Sequence, residues 1–290
     1  MPPPVTRRLH TPAGLKYGSY AMLLGIISSI VAFLMLLSLT SIDFDTITQE
    51  NVLQVLAGPL ALICIAGILV LVVIIFYLLL LYEMYVGRYE FGEKHATRVS
   101  AAIILIIFGV IFTIVTGFFG GGIGTEYTGG PDTFTIDAAD FRNELAISSG
   151  LGIVGSVAVT LGLVLFALEL IGKEKIYLLW VAFGLTVLAS VLGTLATLIM
   201  LPSEGTLELQ DVLRWSAYAG AFSAFSIFGT IVMLLAYRMT RARILSGEVL
   251  PIEVPPPTVP PPAWGQELPP ATVEEPPKWD ELEPAKEPEE

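Results

Sequence analysis

The sequence predicts an all-α fold: a polytopic membrane protein with a six-helix transmembrane bundle and a disordered C-terminal tail. Three observations predict it. Residues 55–82 run for 28 positions without a charge. As a helix at about 1.5 Å per residue they would span about 42 Å, more than the roughly 30 Å of a hydrocarbon core. The chain is 54% hydrophobic and only 14% charged, with a mean hydropathy of +0.75, where an average soluble domain carries roughly 25% charged residues. Five further charge-free stretches of similar length are spread along the chain.

In order, residues 1–16 form a short basic lead with Arg7, Arg8 and Lys16. The first apolar stretch, residues 17–40, is too long for a signal peptide and reads as a retained span. The predicted spans are residues 17–40, 55–82, 99–123, 145–170, 176–201 and 213–238. Lipid offers the backbone no hydrogen-bond partners, so each span is expected to be helical. Pro59 is placed to kink the second span, and Pro202 ends the fifth. The bundle domain is taken as residues 17–245, with Ser246-Gly247 as a helix stop and residues 246–290 as the tail.

Lysine and arginine set the orientation. Eleven of them lie before span one, between spans two and three, between four and five, or after span six; only Arg142 and Arg214 fall on the other side, among eleven acids. By the positive-inside rule both termini are expected in the cytoplasm of a multi-pass cell-membrane protein. The net charge of −12 belongs mostly to the tail, where ten acids face two lysines. No basic face suggests nucleic acid, so the expected partners are membrane lipids, a cytosolic protein and further copies of the chain.

The outer connections share a pattern. Thr46-Ile47, Thr135-Ile136 and Thr206-Leu207 are each followed, at the same offset, by Asn51, Asp140 and Asp211. One reading is a threefold repeated helical hairpin; the other is shared helix-start grammar, with threonine caps and first-turn acids. Asp132, Asp137 and Asp140 do not match a calcium-loop template, and a helical lead-in from about Asp137 is expected instead.

Small residues mark expected helix contacts. Ser148, Gly152, Ser156 and Thr160 recur every four positions in span four, a spacing that lets backbones approach closely in lipid. Ordinary bundle packing is the first reading of this stripe, and self-association the second. The bulky second half of span two should face lipid.

Candidate chemistry is sparse. No Asp, Glu, Lys, Arg, His, Asn or Gln lies deep within any span, whereas ion- and proton-coupled transporters place such groups there. Cys64 is the single cysteine, and His10 and His95 are the only histidines. No catalytic or cofactor-binding residue, metal site or cofactor is therefore expected, and the chain is not read as an enzyme. In the inner loop EMYVGRYEFGEKHATR, Tyr82, Tyr85 and Tyr89 read as interfacial anchors and His95 as a solvated loop histidine. Glu83 and Glu169 read as boundary markers.

The tail is proline-rich, with 13 prolines among residues 251–290, and cannot bury a core. It holds an echo. Trp264 leads to Glu267-Leu268, and Trp279 leads to Glu281-Leu282. Two copies read as a docking motif used twice, with low-complexity drift as the alternative.

The loop GRYEFGEKH, six spans and a tail such as VPPPTVPPPAW resemble archaeal multi-span integral membrane proteins grouped as domains of unknown function. The resemblance implies the architecture and carries over no functional residue. The signature of mitochondrial carriers is absent. The expected role is a non-enzymatic scaffold or assembly component presenting its cytoplasmic tail; the alternative is a transporter or channel for an uncharged or apolar solute.

Overall fold

The computed structural model describes residues 9–42, 52–120, 135–202, 204–208, 215 and 225–252. The chain divides into Met1–Ile252 and Glu253–Glu290, and the second unit lies outside the described residues.

Six helices dominate: α1 (Thr11–Thr40), α2 (Val52–Val86), α3 (Glu93–Gly120), α4 (Ala138–Ala167), α5 (Ile176–Met200) and α6 (Phe225–Leu245). Two three-residue strands, β1 (Thr135–Asp137) and β2 (Thr206–Glu208), and a 3-10 turn, Lys173–Lys175, complete the described elements. Helices α1 to α5 are long and apolar enough to cross a membrane, the mark of a membrane-embedded bundle. The described part of α6 starts at Phe225, so most of residues 213–224 of the expected sixth span lies outside the described residues.

The helices run past their apolar stretches. Helix α1 begins at Thr11, six residues before the expected span, and α2 continues to Val86. Polar residues at a helix end keep the backbone ladder intact where they reach interface or solvent. Pro59 sits within α2, which continues on both sides of it.

Consecutive helices pack as pairs: α1 with α2, α3 with α4, α5 with α6. Helix α6 also packs on α1, and α5 on α4. The buried core gathers toward the end where α1 starts and α6 finishes. It includes Leu15, Met22, Leu80, Met84, Val99, Val164, Phe166 and Tyr237. Toward the opposite end the side chains of α1 and α2 are mostly half-buried or exposed, and Leu71, Ile75 and Leu78 of α2 point outward, as the bulky run predicts.

Close approach depends on particular glycines. A Cβ at Gly18 would lie 2.8 Å from Cε2 of Tyr237, so α1 can take the α6 tyrosine only without a side chain there. The Tyr237 hydroxyl donates to the Leu163 carbonyl at 2.7 Å, which satisfies a buried polar group across to α4.

At the far end, β1 and β2 pair antiparallel, with Thr135 opposite Glu208 and Ile136 opposite Leu207. The two threonine-aliphatic echoes are thus strand partners. Asp137 caps α4, accepting from the Ala139 and Asp140 amides at 2.8 and 3.1 Å, in line with the expected helical lead-in. The cap is the aspartate, while Thr135 belongs to the strand. The Thr46-Ile47 copy lies outside the described residues.

Candidate functional site

The polar contacts that join distant parts of the chain concentrate at the basic end of the bundle. Helix α2 stops at Val86, a turn through Gly87 and Glu90 follows, and Gly92 reverses the chain into α3 with φ of +97°. That positive φ suits glycine, which has no Cβ to clash. Helix α1 starts directly on this turn. A Cβ at Gly87 would lie 2.8 Å from the Thr11 amide nitrogen, so only glycine lets α1 settle there.

The first turn of α1 has no side-chain cap of its own. Glu90, some eighty residues away in sequence, supplies one. Its carboxylate accepts from the His10 amide at 2.7 Å and from the Thr11 amide at 3.0 Å. Helix-start amides lack intrahelical partners, and negative charge is favoured beside them. His10 Nδ1 meets Glu83 Oε2 at 2.7 Å, and Thr11 Oγ1 donates to the Gly87 carbonyl at 3.3 Å. Glu83, expected as a boundary marker, thus also helps hold α1 to α2.

The Glu90 carbonyl takes a third partner, the Ile252 amide, at 2.8 Å. Ile252 also lies against Gly92. The residues just after α6 are therefore fastened to the α2–α3 turn. Arg98 and Glu169 bridge α3 to the end of α4 at 2.7 Å; both are partly exposed, so the pair contributes little to stability. Arg88 stacks on Tyr85 and Tyr89, 4.2 and 4.9 Å from their centroids. Tyr82, Tyr85 and Tyr89 are exposed, as interfacial anchors would be.

His95 corrects the sequence reading. It is 1% exposed, in the first turn of α3 before the apolar stretch begins, with Phe91 edge-on at 5.6 Å. A solvated loop histidine was expected; tertiary packing buries it instead, which a single histidine in a polar loop does not announce. Neither ring nitrogen has a hydrogen-bond partner among the described residues. Burial, and then the nearby Arg98 charge, push its pKa down from 6.5 to about 4. The unfolded chain therefore takes up this proton first as pH falls. Stability is complete above about pH 6.5 and is lost as pH drops toward about 4. His95→Phe should flatten that dependence and leave stability at neutral pH equal or higher, since it removes two unsatisfied buried nitrogens. Thermal unfolding in detergent across this window checks it; identical pH profiles for the two proteins would refute it.

Of the expected packing residues, Ser156 shares a hydroxyl contact with Ser190 of α5 at 3.3 Å, and Thr160 is buried. Ser148 bonds back to the Leu145 carbonyl. A Cβ at Gly152 would meet nothing within 4 Å. The close helix contact runs instead through Gly109 on α3 and Gly155 on α4, where each missing Cβ would fall within 3.0 Å of the other's carbonyl oxygen. Trp264, Glu267, Leu268, Trp279, Glu281 and Leu282 lie outside the described residues.

Among the described residues no three His, Cys, Asp or Glu side chains are grouped to hold a metal ion. No family model matches this chain, and neither a curated protein nor a solved structure matches it significantly.

Proposed function

We propose that this chain is a non-enzymatic, multi-pass membrane scaffold that presents its proline-rich tail to a cytosolic protein partner. The observation that carries the reading is the fastening of the tail's root. Ile252 donates to the Glu90 carbonyl, whose own side chain caps α1. The last described residue before the tail motifs is thus anchored to the bundle. Proline-rich sequences in general suit docking motifs, because little ordering entropy is lost when they bind. The paired Trp264/Glu267/Leu268 and Trp279/Glu281/Leu282 motifs would then bind together more tightly than either alone. The basic end of the bundle is the cytoplasmic face on the positive-inside rule, and the pairing of α1 with α2, α3 with α4 and α5 with α6 supports three helical hairpins.

The test compares full-length protein with its Trp264→Ala/Trp279→Ala variant as bait in detergent. A partner retained by the native chain should be lost at least about tenfold in the variant if each tryptophan anchors a motif. Equal capture by both removes the docking reading.

The second reading, a transporter or channel for an uncharged solute, draws on the Ser156–Ser190 hydroxyl contact between α4 and α5. Flux of such a solute into reconstituted vesicles would favour it over the scaffold.

A further inference from the structure

A second polar feature lies on the same end of the bundle, away from the α1 cap. Between the close of α4 and the start of α5 the chain turns through Ile171, Gly172 and the 3-10 turn Lys173–Lys175. This turn and the end of α6 border an open cavity of about 360 Å³, lined by Lys173, Glu174, Lys175, Arg243 and Glu248 among others. That volume suits a small ligand group.

The guanidinium of Arg243 is held in place. Its Nη1 donates to the Leu170 carbonyl at 3.1 Å. Gly172, with φ of +90°, leaves room for it, because any Cβ there would run into the guanidinium. Helix α6 ends one turn later with Gly247 at φ of +79°. The Glu248 amide bonds back to the Arg243 carbonyl at 3.0 Å and the Gly247 amide to that of Ile244 at 3.2 Å, a Schellman close.

An anion already sits in this cavity. Glu248 Oε2 accepts from Arg243 Nε at 2.8 Å, and its Oε1 lies 3.4 Å from the Ser246 hydroxyl. The hydrogen bond from Arg243 pulls the Glu248 carboxyl below its ordinary pKa, and the charge of Lys175 adds to that. Yet the Glu248 side chain is 59% exposed, so solvent competes for it. Arg243 and the charge of Lys175 thus act on the Glu248 carboxylate, while Lys173 and a second carboxylate, Glu174, complete the charged lining. The place matters too. The cavity lies at the start of the apolar helix α5, and basic side chains flanking an apolar helix are suited to meet lipid phosphates. The amino end of that helix adds positive potential.

We propose that this cavity binds a phosphate group, with Arg243, Lys173 and Lys175 as its cationic donors and Glu248 as the internal carboxylate that the phosphate displaces. Arginine offers phosphate a planar fork of donors and the lysines add mobile point charges. The phosphate comes from an anionic lipid headgroup or from solution, and the two sources separate experimentally.

The test uses full-length protein in phosphatidylcholine nanodiscs, native and as Lys173→Gln/Lys175→Gln and Glu248→Gln. Inorganic phosphate is titrated calorimetrically, and phosphatidylglycerol mixed into the discs is followed by native mass spectrometry. The lysine pair variant should bind about tenfold more weakly, and Glu248→Gln several-fold more tightly, since it removes the internal competitor. These shifts with phosphatidylglycerol identify a headgroup; the same shifts with inorganic phosphate alone identify a soluble phosphate. No binding of either probe, or equal binding by all three proteins, overturns the site. If the lysine pair variant does not fold, Glu248→Gln decides, because tighter binding follows from displacement alone.

Discussion

Replacing Glu90 with alanine is expected to remove about 3 kcal/mol of stability. The carboxylate is 8% exposed and accepts two backbone amides at the start of α1. Hydrogen bonds to a charged group contribute about 1.5–3 kcal/mol each, and a buried amide left without a partner costs about 1–3 kcal/mol. The full sum is not expected, because water reaches the half-exposed His10. Glu90→Gln keeps a carbonyl oxygen and should lose less than the alanine variant. Thermal unfolding in detergent, with hydrogen exchange at the His10 and Thr11 amides, reads both. Exchange there should rise in Glu90→Ala while the middle of α3 stays protected. An alanine variant with native melting and native exchange would show that the cap contributes nothing.

Gly109→Ala is expected to cost roughly 2 kcal/mol, whereas Gly152→Ala should be neutral or stabilising by up to about 1 kcal/mol. The new Cβ at position 109 would lie 2.6 Å from the Gly155 carbonyl oxygen, 2.7 Å from Val159 Cγ2 and 3.0 Å from the Val159 amide nitrogen. Two of these three atoms are backbone and cannot rotate away, so α3 and α4 must part. The Cβ at position 152 meets nothing, and alanine is the better helix former. Melting temperatures of the two variants should therefore move in opposite directions or differ clearly in size. The reverse order would place the close contact of α4 on the Ser148–Gly152–Ser156–Thr160 stripe instead.

That pair of variants also marks how far sequence can be read. Charge-free runs of the right length identify membrane helices directly, because hydropathy and length are local properties. The packing face of α4 is not local. Small residues every four positions at 148–160 and the neighbouring Gly155 and Gly162 lie on adjacent strips of one helix, and 3.6 residues per turn cannot choose between them. The α1 cap is hidden for a related reason. A capping search looks within three residues of the helix start, while the acceptor here is Glu90. The strands β1 and β2 are three residues long and some seventy residues apart, too short for an alternation pattern. Their threonine-aliphatic echo is visible in the sequence; their hydrogen bonding to each other is not. His95 gives no signal at all, since nothing near it in sequence distinguishes a covered histidine from a wet one.

The bond from Ile252 to the Glu90 carbonyl has a consequence for the order in which the chain is made. The α2–α3 turn leaves the ribosome long before residue 252 does, and it must wait with an open acceptor and an uncovered Gly92. Hairpins such as α1–α2 and α3–α4 can close as they emerge. The last fastening cannot. It reports that the intervening helices have been threaded and brought home, so a chain stalled or cut before residue 252 keeps an unfilled notch beside its first helix.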